Sequence, residues 1–142
     1  MLRAVLDTNV IVSGTIAKNG VPFRILEAWR RQEWSLVLSL AVLDEVQRVL
    51  RLPKIARKYR LTGEEIDDTV RLLRLHATVV PGRLAIPPAS RDPGDDPILA
   101  CAIEGEAEYI VTGDKDLLTL ERYQGIPIVT PVRFAALLEA GR

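Results

Sequence analysis

Leu2-Arg3-Ala4-Val5-Leu6-Asp7-Thr8-Asn9 is the stretch on which the fold turns. An apolar run interrupted only by Arg3 stops abruptly at an aspartate. Such a compact run reads as a short buried strand, and an acidic side chain at its end is costly to bury. The pattern repeats at Tyr109-Ile110-Val111-Thr112-Gly113-Asp114, again an apolar run closed by an acid. Further runs at residues 35–38, 77–80 and 126–129 read as three more strands, five in all. Between them lie helical patterns. Residues 10–13 read as a helical turn and residues 14–20 as a loop. Helices follow over residues 22–32 and from an N-cap at Ser39 to Leu50. Thr62 and Glu65 have capping-box spacing at the start of a helix to Leu75. Residues 97–104 form a nearly all-apolar helix, and Thr130-Pro131 opens a last one through Leu138. Residues 81–95 read as a long irregular stretch, the kind a compact domain keeps for function or flexibility.

Strands alternating with helices imply an α/β fold: a central parallel sheet of about five strands covered on both faces. In such sheets, sites form beyond the carboxyl ends of strands, where strand order switches. Asp7 and Asp114 both occupy that location. With 142 residues, a single domain over 1–142 is expected.

Composition narrows the function classes. Acidic and basic residues balance at 19 each, so net charge gives no support for nonspecific nucleic-acid binding, and any basic surface must be local. A single cysteine, Cys101, excludes an internal disulfide and a cysteine-cluster zinc site. Its apolar helix makes it a small buried hydrophobe. The longest uncharged apolar stretch, residues 34–43, is too short for the roughly 20 residues of a membrane span. Arg3 and Asp7 interrupt the N-terminal apolar stretch, so no signal peptide is read. A cytoplasmic location without membrane contact is expected.

Four acids carry the functional argument. Asp7 and Asp114 end strands. Asp96 precedes Pro97 at a helix start, where capping is its ordinary role and the helix dipole favours a carboxylate. Glu45 falls at the margin of the apolar face made by Val42, Val46, Val49 and Leu50, whereas Asp44 points to solvent. Asp116, Asp92 and Asp95 lie close by in sequence as outer members or solvated residues. Gathered carboxylates suit an oxygen-loving divalent ion. The one histidine, His76, lies away from these motifs, which argues against a histidine-based cleavage. Arg48, Arg51, Lys54, Arg57, Lys58 and Arg60 cluster after the Glu45 helix, and Arg91 adjoins Asp92. They are either a solvated basic face or a phosphate grip. Aromatic content of 5% does not suggest extensive base stacking.

Leu6-Asp7-Thr8-Asn9-Val10, the Glu45 helix, Arg91-Asp92-Pro93-Gly94-Asp95-Asp96, and Tyr109-Ile110-Val111-Thr112-Gly113-Asp114-Lys115-Asp116-Leu117-Leu118 together resemble the successive motifs of PIN-domain nucleases. Residues 126–134 are similar to that family's last strand and helix. Within it, the chain looks closest to the stand-alone prokaryotic VapC-like toxins of type II toxin–antitoxin pairs. The resemblance implies a three-layer α/β/α sandwich and an endoribonuclease using one or two Mg²⁺ or Mn²⁺ ions, leaving a 5′-phosphate. Carried over by motif, Asp7, Glu45, Asp96 and Asp114 are the catalytic and metal-binding acids, with Asp116 a further metal ligand. Thr8, Asn9, Thr112 and Asp92 are supporting residues. Arg48, Arg51, Lys54, Arg57, Lys58 and Arg91 would bind RNA. An antitoxin protein and a homodimer are the implied protein partners. Many toxins of this type have asparagine at the position of Asp114, which leaves open how many ions bind. Two other readings compete: a phosphoryl-receiving signalling domain, and an inactive RNA- or protein-binding PIN module. The first would need an acid after the third strand, where this chain has Pro81.

Overall fold

In the computed structural model, which describes residues 1–89 and 92–141, the five expected strands are present and a sixth joins them. Strand β1 (Arg3–Leu6) lies between β2 (Ser35–Ser39) and β4 (Tyr109–Val111), parallel to both. β3 (Thr78–Val80) extends the sheet beyond β2, and β6 (Ile126–Val129) extends it beyond β4, also in parallel. β5 (Arg122–Tyr123) pairs antiparallel with β6 at the far edge, giving the order β3-β2-β1-β4-β6-β5. The sheet is therefore mixed rather than wholly parallel. Gln124 and Gly125, with φ of +48° and +82°, form the two-residue turn that returns β5 onto β6. Positive φ at both centres matches the twist of a hairpin.

Eight α-helices pack around this sheet among the described residues: α1 (Thr8–Ile16), α2 (Val21–Arg30), α3 (Leu40–Leu50), α4 (Pro53–Ala56), α5 (Gly63–His76), α6 (Asp96–Glu104), α7 (Lys115–Leu120) and α8 (Pro131–Ala140). The chain steps from β1 to β2 to β3 in one direction, then crosses back to β4 and on to β6. Right-handed crossovers in opposite directions put their helices on opposite faces. Ala4, Val5, Leu6, Leu36, Val37, Leu38, Ile110 and Val111 are accordingly fully buried. Runs apolar on both sides of the strand are what a sheet covered on both faces needs. Phe134 of α8 is buried edge-on against Trp34, 5.0 Å between ring centroids, and tilted against Tyr109 at 6.2 Å. The Trp34 indole N–H donates to the Ile25 carbonyl at 2.9 Å, tying α2 to the same cluster.

The caps at Ser39, Thr62 and Thr130 form as expected, each hydroxyl accepting a backbone N–H of its helix, and Thr62 and Glu65 complete the capping box. The loop expected over residues 14–20 is corrected at its start, because α1 continues through Gly14 to Ile16. A Cβ on Gly14 would sit 2.5 Å from Leu26 Cδ1 and 2.7 Å from the Pro22 carbonyl oxygen. Glycine is thus at this position for the close approach of α1 to α2 rather than for a turn. Gly14→Ala is expected to destabilise the protein by about 1–3 kcal/mol in denaturant unfolding, the usual cost of overpacking. Helix propensity alone would stabilise the variant by roughly 1 kcal/mol, so a neutral or stabilised Gly14→Ala would contradict the packing argument.

Candidate functional site

Strand order reverses between β1 and β4, and the acids meet at that switch point. Asp7 follows β1 directly. Its amide donates to the Val111 carbonyl at 2.9 Å, continuing the ladder, while its own carbonyl accepts from Val10 and Ile11 at the start of α1. The Asp7 carboxylate makes no capping bond to α1. It accepts the Thr112 hydroxyl instead, Oγ1 to Oδ2 at 2.7 Å. Thr112, fully buried, in turn accepts the Asp114 amide on Oγ1 at 3.0 Å. Asp114 caps α7 by accepting the Asp116 amide on Oδ1 at 3.0 Å. One hydroxyl thus ties the ends of the two central strands together.

A cleft of about 230 Å³ opens here, lined by Asp7, Thr8, Asn9, Glu45, Asp92, Asp95 and Asp114, with Ala41, Val42, Gly94, Pro97 and Ile98 as its less polar wall. Asp7 is only 9% exposed. Burial is the largest influence on it and raises its pKa above the ordinary 3.8. The Thr112 hydroxyl and the Thr8 backbone pull the other way, and the charges of Asp114 and Glu45 add to the rise. Glu45 is exposed, with its carboxylate 3.5 Å from Arg48 Nη2. Asp44 does not line the cleft.

Asp96, expected among the cleft acids, lines a different cavity. It is the first residue of α6, with helical φ and ψ of −59° and −37°. Its carboxylate accepts the Ala89 amide at 3.4 Å and lines a neighbouring cavity with Ser39, Cys101 and Glu104. The preceding residue, Asp95, lines the acidic cleft instead and is 8% exposed. A 3-10 turn over Pro93–Asp95 runs directly into α6, and each helical residue rotates the side chain by ~100°. Adjacent aspartates therefore serve different cavities. Asp116 also stays outside the cleft, half-buried in the first turn of α7. Asp92 lines the cleft and also caps the 3-10 turn, accepting the Gly94 amide at 2.9 Å.

The connector that carries Asp92 and Asp95 to this point is pinned by Glu104. Its carboxylate accepts the amides of Gly82, Arg83 and Leu84 at 2.8, 3.1 and 3.2 Å. Cys101 beside it is buried, as expected, and burial pushes its thiol up to about 12. His76 lies at the opposite end of the strands with Met1, Trp29 and Trp34.

Among the basic candidates, Arg48 pairs with Glu45 and Arg51 with Asp67. Lys54 lies on α4, and Arg57 and Lys58 follow it, all three exposed. Arg91 lies outside the described residues.

A comparison of sequences decides the family. The PIN domain matches residues 3–116. The chain belongs to the PIN domain family. A relative in Methanocaldococcus jannaschii, the uncharacterized protein MJ1680, is 31% identical over 124 residues, covering 84% of this chain and 75% of the relative. The fold of this PIN domain is shared by the crystal structure of VapBC2 from Rickettsia felis bound to a DNA fragment from their promoter. The TM-score is 0.58 at 15% identity, over 91% of this chain and 98% of that one.

The donor set of the PIN cleft is all oxygen, the set that suits Mg²⁺ or Mn²⁺. Among the described residues, no three acidic, histidine or cysteine side chains stand close enough to hold a metal ion as placed. The fit is therefore one of chemistry and shared cleft, with Asp7 the fixed member and Glu45 turned towards Arg48.

An Asp7 raised in pKa by burial resists ionisation in the folded state. Stability from the neutral form is complete below pH 3.8 and is lost as pH rises through the folded pKa. Asp7→Asn should therefore melt higher than wild type at neutral pH without metal, and the gap should close as pH falls towards 3.8. A variant that melts lower throughout would make the carboxylate structural rather than strained.

Proposed function

We propose that this PIN domain, taken as one domain over residues 1–142, is a metal-dependent endoribonuclease that hydrolyses RNA phosphodiester bonds. The observation that carries the reading is the convergence of Asp7, Glu45, Asp95 and Asp114 on one cleft at the switch point of the sheet. A buried Asp7 facing the charges of Asp114 and Glu45 is an expensive arrangement unless a cation balances them. Asp7, Asp95 and Asp114 would hold Mg²⁺ or Mn²⁺, with Glu45 completing the set. Such an ion supplies charge neutralisation at the phosphate and a lowered pKa for water. Thr112 fixes the Asp7 carboxylate through Oδ2. Thr8 and Asn9 line the floor beside it and offer hydrogen bonds to a bound phosphate. Arg48, one helical turn from Glu45, is placed to neutralise the strand that enters.

We extend the proposal to the biological setting. The fold neighbour is VapBC2 bound to a DNA fragment from their promoter, and we infer that this chain is a toxin held by an antitoxin protein and able to form a homodimer. No helix among the described residues is long and apolar enough to cross a membrane, and an RNA substrate fits work in the cytoplasm.

The test is cleavage of a mixed RNA pool in Mn²⁺ or Mg²⁺. Wild type should cut. Asp7→Asn and Asp95→Asn should each lose about 100-fold or more, as loss of a ligand to an essential ion implies. Asp96→Asn should stay within roughly tenfold, since it acts at most from the supporting layer. Wild type that cuts nothing with either ion would overturn the nuclease reading. Loss at Asp96→Asn but not at Asp95→Asn would overturn the assignment of the third acid.

A further inference from the structure

Beyond α3, the chain builds a small basic platform that the acidic cleft does not use. α4 and the turn after it are held by a continuous series of backbone bonds. Ile55 and Ala56 donate to the Leu52 carbonyl, Arg57 to Pro53, Tyr59 to Ile55, and Leu61 to Ala56 at 2.8 Å. Arg60 takes a φ of +54° to close the turn. A segment this short holds a fixed shape only because these bonds are all made. On it stand Lys54, Arg57, Lys58 and Arg60, all exposed. None of the four pairs with a carboxylate among the described residues, unlike Arg48 and Arg51. Four exposed cations with no carboxylate at ion-pair distance present positive charge to solvent, and a polyanion is the partner such charge attracts.

Tyr59 turns this from a charge patch into a recognition surface. It is the one exposed aromatic among the described residues, at 38%. Lys58 Nζ lies over its ring at 5.4 Å from the centroid. A chain that buries its other aromatics wholly or partly leaves this one exposed, on the same short segment as the four cations. An aromatic ring flanked by phosphate-binding cations is the arrangement that holds unpaired bases, since every base has a face to stack. A duplex keeps its bases stacked inside and offers only phosphate to such a surface.

We propose that the α4 platform is the docking surface for a single-stranded RNA, with a base stacked on Tyr59 and phosphates held by Lys54, Arg57 and Arg60. α3 joins the platform to the cleft. Glu45 and Leu50 are separated by about 8 Å of helix axis, so a strand bound at both would pass along Arg48. The inference rests on the ribonuclease reading for the identity of the strand, and it adds to that reading the surface on which the strand docks and the residue on which a base stacks.

Binding is measured by fluorescence anisotropy with a labelled unstructured RNA oligonucleotide and its duplex, in EDTA so that nothing is cut. Wild type should bind the single strand more tightly than the duplex. Tyr59→Ala should weaken single-strand binding by about 5- to 100-fold, the range of one lost stack, with its salt dependence unchanged. Tyr59→Phe should bind like wild type. Arg57→Ala should lower the slope of log affinity against log salt by roughly 0.7. Equal binding of duplex and single strand, unchanged affinity in Tyr59→Ala, or equal competition by a poly-glutamate peptide would each overturn the proposal. Cleavage is scored separately. RNA that binds with the Tyr59 signature yet is never cut would leave the platform standing and remove the nuclease reading. Cutting without that signature would do the reverse.

Discussion

The hydrogen bond from the Thr112 hydroxyl to the Asp7 carboxylate is the contact on which the rest of the site depends. Burying a charge beside the end of a sheet is unfavourable unless something holds and satisfies it. Thr112 does so while also accepting the Asp114 amide, so one side chain sets the relative position of two acids from strands 105 residues apart in sequence. Those strands are neighbours only because the chain crosses back over the sheet after β3. Topology makes the site, and the threonine fixes its geometry.

The third contribution arrives by a less regular route. After β3 the connector has no ladder to follow, and Glu104 supplies the missing acceptors by taking three consecutive amides. Asp96 takes a further amide at Ala89. Both carboxylates belong to α6, so the helix that presents Asp95 to the cleft also organises the segment leading to it. Acids here do two different kinds of work. Asp7, Asp95 and Asp114 face the cleft, whereas Glu104 and Asp96 hold backbone.

What the sequence reveals follows the same division. β1, β2 and β4 are legible because strands covered on both faces must be apolar throughout, and a following aspartate then stands out. Ser39, Thr62 and Thr130 are legible because capping is local chemistry. The choice between Asp95 and Asp96 is not, since it turns on whether a 3-10 turn runs into α6 without a break, and one residue of offset swings the side chain to another cavity. β5 escapes notice because two residues carry no periodicity, although Gln124-Gly125 marks its turn. α4 and α7 are too short to show a helical repeat. Tyr59 has no sequence signal beyond its basic neighbours; its exposure is what separates it from the other aromatics.

Folding at this switch point has been arranged around negative charge, and the family membership makes a divalent cation its natural balance. The most direct measurement is equilibrium binding of Mn²⁺ to the RNA-free protein, followed by the electron paramagnetic resonance of the free ion. Wild type and Asp96→Asn should bind the ion alike, and Asp7→Asn and Asp95→Asn should bind it at least about tenfold more weakly. A wild type that takes up no Mn²⁺, or an Asp7→Asn variant that takes it up as well as wild type, would contradict the account.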